Sequence, residues 1–295
     1  MGMNDEAIQV TSLRKTYGDK HAVDGIDLEV HRGEVFALLG PNGAGKSTAV
    51  EILGGFRKRT AGEVTVLGVD PAHPTRQWRE RLGVMLQSTS ARSVLTAREA
   101  LQHAARLYPN PRDVDESLAA VGLTEKATAK PQLLSGGQRR RLEVALAVIG
   151  NPELVFLDEP TTGFDPEARR QFWTLIEALR DHGTTILLTT HYLDEADRLA
   201  DRIGIIANGS MVALDTPEGL RSRATDAWVS WVEDGATRRE PTPTPTAFLR
   251  DLLARHDGEI PRLQITHPSL EDVYLDLIGA SQADLDAAAD EEVAA

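Results

Sequence analysis

The chain has 295 residues, 41% of them hydrophobic and 26% charged, a soluble globular composition with room for one large core or two modest ones. Its formal net charge of −13 argues against tracking a nucleic-acid backbone, and the absence of cysteine excludes disulfides, thiolate chemistry and cysteine metal sites. No apolar run reaches the ~18 residues that span a bilayer, and the stretch MGMNDEAIQV lacks the basic-then-apolar pattern of a signal peptide. A cytoplasmic protein is expected.

In chain order, IQVTSL (8–13) and the alternating AVDGIDLEV (22–30) read as strands of an antiparallel layer. GEVFALLG (33–40) reads as a buried strand and KSTAVEILGG (46–55) as a helix ending at paired glycines. Between them GPNGAGKST (40–48) satisfies G-x-x-x-x-G-K-[ST], with the strand before it and the helix after it that the motif requires. Gly40, Pro41, Asn42, Gly43, Ala44 and Gly45 then turn backbone N–H groups toward phosphates, with the positive end of the helix behind them. Lys46 is expected at the β- and γ-phosphates, the Ser47 hydroxyl on Mg²⁺, and Thr48 beside them. Gln87, after the strand-like GVML, says little alone.

From Thr96 to Gly150 the pattern is mostly helical. Inside it LSGGQ (134–138) stands at the head of a helix and looks like a second phosphate-binding device. The RRR that follows (139–141) reads as a solvated basic face. LVFLD (154–158), TTILLTT (184–190) and RIGIIA (202–207) are continuous apolar runs, the first two separated by the helix-like EARRQFWTLIEALR. Such runs indicate a parallel sheet buried on both faces. Asp158, at a strand end, is placed to hold Mg²⁺ through its water shell, and Glu159 just beyond it to polarise a water. A strand-end acid pair is also an ordinary structural feature; the glycine loop upstream tips the reading toward chemistry. His191 closes another buried strand, a position held more often by a structural or surface histidine than by one against a γ-phosphate.

Beyond about residue 223 the character changes. EPTPTPT (240–246) reads as an extended connector, followed by a helix, a strand at RLQIT and a last helix in PSLEDVYLDLIG. In that last helix Leu270, Val273, Tyr274, Leu277 and Ile278 form one apolar stripe, and Ser269 suits the N-cap. Residues 280–295, rich in Ala and acids, carry no stripe and are expected to be disordered.

The motifs together resemble an ABC-transporter ATPase subunit. The resemblance covers about residues 8–222: a Walker A loop at 40–48, Gln87 as Q-loop, LSGGQ, a Walker B segment at 154–159, TTGFD as D-loop and His191 as H-loop. It implies a P-loop NTPase of the α/β class: a RecA-like parallel sheet core, an antiparallel β layer and a helical subdomain at about 88–150. A small α/β extension at 223–279 and the acidic tail at 280–295 would complete the chain. It further implies that Tyr17 stacks on adenine, that Gln87 joins Ser47 and Asp158 around Mg²⁺, and that Glu159, His191, Gln87 and Lys46 serve hydrolysis. Two such domains pair head-to-tail in this family, and each LSGGQ caps the ATP held by the other's Walker A. Ser135, Gly136, Gly137 and Gln138 would then serve a partner's nucleotide, and Asp165 would cross the dimer interface. Phe164 and Thr162 depart from the family's usual leucine and serine, and STSARSV after Gln87 lacks the acidic or aromatic residues often seen there.

The closing THPSLEDVYLDLIG resembles ATPases of ABC-2-type exporters of the daunorubicin-resistance kind, which expel drugs and natural products. The resemblance thus implies a homodimer or paired ATPase subunit, separate integral membrane permease subunits, and a peripheral location on the cytoplasmic face of the membrane. No nucleic acid is expected as a partner. The alternatives are an importer ATPase, or a soluble ABC ATPase acting on nucleic acid or ribosomes.

Overall fold

A computed structural model describes residues 5–86, 94–223, 227–233, 235–256 and 258–279. The polypeptide divides into two compact units, one ending at Leu214 and the other beginning at Asp215.

In the first unit, β1 (Glu6–Tyr17) pairs antiparallel with β2 (Lys20–His31) and with β4 (Ala61–Val66), giving the order β2-β1-β4. Ile8, Val10 and Leu13 of β1 and Ile26, Leu28 and Val30 of β2 turn inward, as the alternation in the sequence requires. A six-stranded sheet lies beside this layer in the order β5-β6-β7-β3-β8-β9. Its strands are β3 (Val35–Leu39), β5 (Leu82–Met85), β6 (Leu154–Asp158), β7 (Thr185–Thr190), β8 (Arg202–Ala207) and β9 (Ser210–Asp215). The pairs β5–β6, β6–β7, β7–β3 and β3–β8 are all parallel. Every residue of β3, β6 and β7 is buried, which is what continuous apolar runs lead to when both faces are covered.

The helices of this unit are α1 (Lys46–Leu53), α2 (Arg76–Glu80), α3 (Ala97–Ala105), α4 (Val114–Ala120), α5 (Gly136–Val148), α6 (Pro166–Asp181) and α7 (Leu193–Leu199). Helices α3, α4 and α5 pack on one another. Thr96 with Glu99, and Ser135 with Gln138, form reciprocal capping boxes that fix where α3 and α5 begin. Register then decides where the chemistry lies. Asp158 pairs with Thr189 and Leu39 with Thr190, so three neighbouring strands end at one level. The carboxyl ends of parallel strands are where open α/β sheets place their ligands.

In the second unit, α8 (Pro217–Arg221) is followed by β10 (Ala227–Glu233), β11 (Ala236–Thr242), α9 (Pro245–Arg255), β12 (Gln264–Thr266) and a helix, α10, at 270–279. The sheet order is β11-β10-β12, with both pairings antiparallel. Val229, Trp231, Leu252 and Ile260 form its core, flanked by Phe248 and Leu263.

The expected connector at 240–246 is not one. Glu240, Pro241 and Thr242 pair with Val229, Trp228 and Ala227, while Pro245 opens α9. A proline is tolerated here because β11 is an edge strand, whose outward side needs no N–H donor. On α10, Leu270 and Val273 are buried, and Tyr274, Leu277 and Ile278 are partly covered. Ser269 caps it through Oγ, which accepts from the Asp272 N–H at 3.2 Å, while the Asp272 carboxylate accepts from the Ser269 N–H at 2.8 Å.

Candidate functional site

Strand β3 ends at Leu39, and the loop to α1 wraps back over the strand end. Gly45, the residue before α1, has φ +108, and a Cβ there would lie 2.3 Å from the Ala22 carbonyl oxygen, so no other residue fits. The first turn of α1 carries no acid, which leaves its positive end open to an anion. Lys46 is 5% exposed, and its Nζ donates to the Gly40 and Pro41 carbonyls at 2.6 and 3.0 Å. Burial pushes this ammonium below the ordinary lysine range, opposed by the nearby Glu159 and Asp158 carboxylates. Asn42, Gly43, Gly45, Lys46, Ser47 and Thr48 line an open cleft of about 780 Å³, together with Tyr17 and Glu159. Gly40, Pro41 and Ala44 shape the loop without lining it. Tyr17 carries two cations on its ring, Lys15 at 4.9 Å and Arg57 at 5.4 Å from the centroid, and 42% of the residue is exposed.

Beside this loop, β6 delivers a buried Asp158, whose Oδ1 accepts a hydrogen bond from Thr189 Oγ1. The next residue, Glu159, has φ +48, a left-handed conformation that costs a non-glycine residue about 1–3 kcal/mol. Two contacts from β7 hold it there: the Glu159 N–H donates to the Thr189 carbonyl at 3.1 Å and to its hydroxyl at 3.0 Å. The Glu159 carboxylate accepts from Thr162 Oγ1 at 3.4 Å and lies 3.7 Å from His191 Nδ1. Lys46, Asp158, Glu159 and His191, read separately in the sequence, therefore converge.

LSGGQ does not join them. Ser135 and Gly136 are exposed, and no residue of 134–138 lines the cleft. Ser135 Oγ accepts from the Gln138 N–H at 3.2 Å, and Gln138 Oε1 accepts from the Ser135 N–H at 3.0 Å, so both side chains serve the cap of α5. A Cβ on Gly137 would come 3.1 Å from the Gly163 carbonyl, which brings this helix start close to the loop after β6. Asp165 caps α6, accepting from the Ala168 N–H at 2.8 Å, and likewise does not line the cleft. Gln87 lies outside the described residues.

The reading of Arg139–Arg141 as a solvated face needs correction. Only Arg139 is exposed. The Arg140 guanidinium donates to the Asp158 carbonyl and to the Glu159 carbonyl at 2.9 Å, and Arg141 donates to the Val121 and Gly122 carbonyls at 3.2 and 3.3 Å. In the sequence a run of three arginines carries no sign of which ones turn inward. Thr189 was missed for the same reason, since its role depends on strand register.

Glu195, on α7, is fully buried. Thr190, Thr161 and Trp173 face its carboxyl, but none closes a hydrogen bond of ordinary geometry to it among the described residues. Burial pushes this carboxyl above the carboxylate range, opposed by those neighbours and by Arg169. A raised folded-state value means that folding favours the protonated form. The contribution is complete below the unfolded value of 4.5 and is lost as pH rises from there through the folded value. Glu195→Gln removes that loss, so the difference in Tm between variant and parent should grow in the variant's favour as pH is raised from 5 to 8. A difference that stays constant over this range would show that Glu195 is not forced to bind a proton.

Residues 23–162 match the family described as ABC transporter. A daunorubicin/doxorubicin resistance ATP-binding protein of Streptomyces peucetius is 37% identical, and the match covers 97% of each chain. A linearmycin resistance ATP-binding protein of Bacillus subtilis is 32% identical, over 94% of this chain and all of the relative (100%). A Nod factor export ATP-binding protein of Sinorhizobium fredii is 36% identical, over 95% of this chain and 88% of its own. Among solved structures, a dimeric ATP-binding cassette in a post-hydrolysis state with ADP and Pi is 26% identical with a TM-score of 0.65, over 71% of this chain and 98% of that one. Cassettes of this kind dimerise and work with membrane subunits. A loop built for phosphates, a strand-end Asp-Glu pair and near full-length likeness to ATP-binding subunits lead to one conclusion: the chain belongs to the ABC transporter family, as one of its ATP-hydrolysing exporter subunits.

Proposed function

We propose that the chain works as one half of a head-to-tail pair on the cytoplasmic face of a membrane, driving efflux of a drug or natural product through separate permease subunits. No helix among the described residues is long and apolar enough to cross a membrane. The importer and nucleic-acid readings are not favoured, because the relatives are resistance and export proteins and the net charge is −13.

The observation that carries the paired arrangement is the outward-facing LSGGQ, which lines no part of its own chain's cleft. In the pair, Ser135 and the Gly136 and Gly137 N–H groups meet the γ-phosphate held by the other chain, with the dipole of α5 behind them. Asp165 lies at the same interface. Within each cleft Tyr17 stacks on the adenine, and the loop 40–48 wraps the phosphates. Lys46 exchanges its two carbonyl contacts for β- and γ-phosphate oxygens.

Ser47 and Asp158 are hard oxygen donors, and no group of three or more His, Cys, Asp or Glu side chains fit to hold an ion occurs among the described residues. Such donors suit Mg²⁺, which takes most of its ligands from phosphates and water and would supply charge neutralisation; Gln87, outside the described residues, would join them. Glu159 accepts the proton of the attacking water as the bond from the γ-phosphorus to the ADP oxygen breaks, and His191 borders that carboxylate.

Mixing two inactive chains tests the arrangement. A Lys46→Ala chain paired with a Ser135→Arg chain has one composite site with both lesions and one with neither, whereas each parent dimer has two damaged sites. The mixture is expected to recover ATP-dependent dimerisation and turnover that neither parent shows. No recovery, with both chains folded, would falsify the paired reading.

A further inference from the structure

One side chain ties the helix that LSGGQ opens to the strand end that carries Asp158 and Glu159. Arg140 lies on α5, two residues beyond LSGGQ, with its side chain 12% exposed. One guanidinium nitrogen bridges the Asp158 and Glu159 carbonyl oxygens, the latter at 2.9 Å. The other reaches the Leu86 carbonyl, at the start of the segment leading to Gln87, at 3.4 Å. Glu143, one turn further along α5, anchors that nitrogen at 3.0 Å. The clamped peptide is the strained one, with Glu159 at φ +48; Thr189 holds its N–H side and Arg140 its carbonyl side.

We propose that Arg140 is a positioning residue that couples the two nucleotide sites of the pair. Its fork holds Glu159 of the chain's own site and ties that peptide to the helix presenting LSGGQ to the other site. A shift at Glu159 on hydrolysis therefore moves the LSGGQ end of α5. This inference rests on the paired reading above.

Arg140→Met should lower kcat for ATP on the order of 10- to 100-fold, as misplacement of a reacting group does, while KM stays within about twofold. Arg140→Lys keeps the charge but has one nitrogen, which cannot hold the Asp158 and Glu159 carbonyls and reach the Leu86 carbonyl and Glu143 at the same time, and should not restore turnover. The decisive experiment adds Arg140→Met to one chain at a time of the Lys46→Ala and Ser135→Arg mixture. The single intact site there takes Glu159 from the Ser135→Arg chain and LSGGQ from the Lys46→Ala chain. Coupling requires turnover to fall whichever chain carries the change. A fall from one chain only confines Arg140 to one half-site and overturns the proposal, as does full activity of Arg140→Lys or a proportional rise in KM. Glu143→Gln, which keeps Arg140 but removes the charge of its anchor, should give the same pattern in weaker form, and stands in if Arg140→Met fails to fold. If neither variant alters kcat, the proposal is overturned. Failure of the paired reading is seen separately, in the mixture before Arg140 is touched.

Discussion

Glu159→Gln should bind ATP normally and turn it over at least ~100-fold more slowly than the parent chain. The amide fills the same volume but cannot take the proton of the attacking water. The fold has no reason to change, because the contacts that hold Glu159 in its left-handed conformation all go through the backbone: its N–H to Thr189 and its carbonyl to Arg140. Thr162 and His191, which face the carboxylate at 3.4 and 3.7 Å, keep a polar neighbour. With hydrolysis blocked and binding intact, the closed pair should accumulate with ATP and appear as a dimer on size-exclusion chromatography. Turnover close to that of the parent in the purified variant would remove Glu159 from the reaction.

Lys46→Met should lose nucleotide affinity rather than turnover alone. Hydrogen bonds from a charged donor are worth about 1.5–3 kcal/mol, so removing the ammonium at the phosphates should raise the Kd for ATP by about 10- to 100-fold. Methionine retains most of the apolar stem that Lys46 packs into the loop, and the position is 5% exposed, so alanine would add a cavity to the same loss. Burial already disfavours the lysine charge in the absence of phosphate, so the methionine variant should not melt appreciably lower than the parent. ATP affinity unchanged by isothermal titration would contradict the assignment of the loop 40–48 to phosphate binding.

What the sequence determined by itself is what depends on near neighbours along the chain. The loop 40–48 is legible because one strand, one glycine turn and one helix suffice to build it. The buried strands β3, β6 and β7 are legible because both faces are covered, which leaves a continuous apolar run. The capped starts of α5 and α10 are legible because Ser135 with Gln138 and Ser269 with Asp272 are three residues apart. Only tertiary structure decided the rest. Strand register sets Thr189 against Asp158, 31 positions away, and no local pattern carries that distance. Pro241 could be read as part of a connector because proline usually breaks a sheet, and it becomes acceptable only once β11 is known to be an edge. Glu195 looks like a surface acid on a short amphipathic helix until α7 is packed against the sheet and its carboxyl loses its water. Arg140 is the clearest case: a charged residue among three alike is indistinguishable from a solvated one. It turns inward because the Asp158 and Glu159 carbonyl oxygens converge on one nitrogen of its guanidinium, while the Leu86 carbonyl and Glu143 take the other.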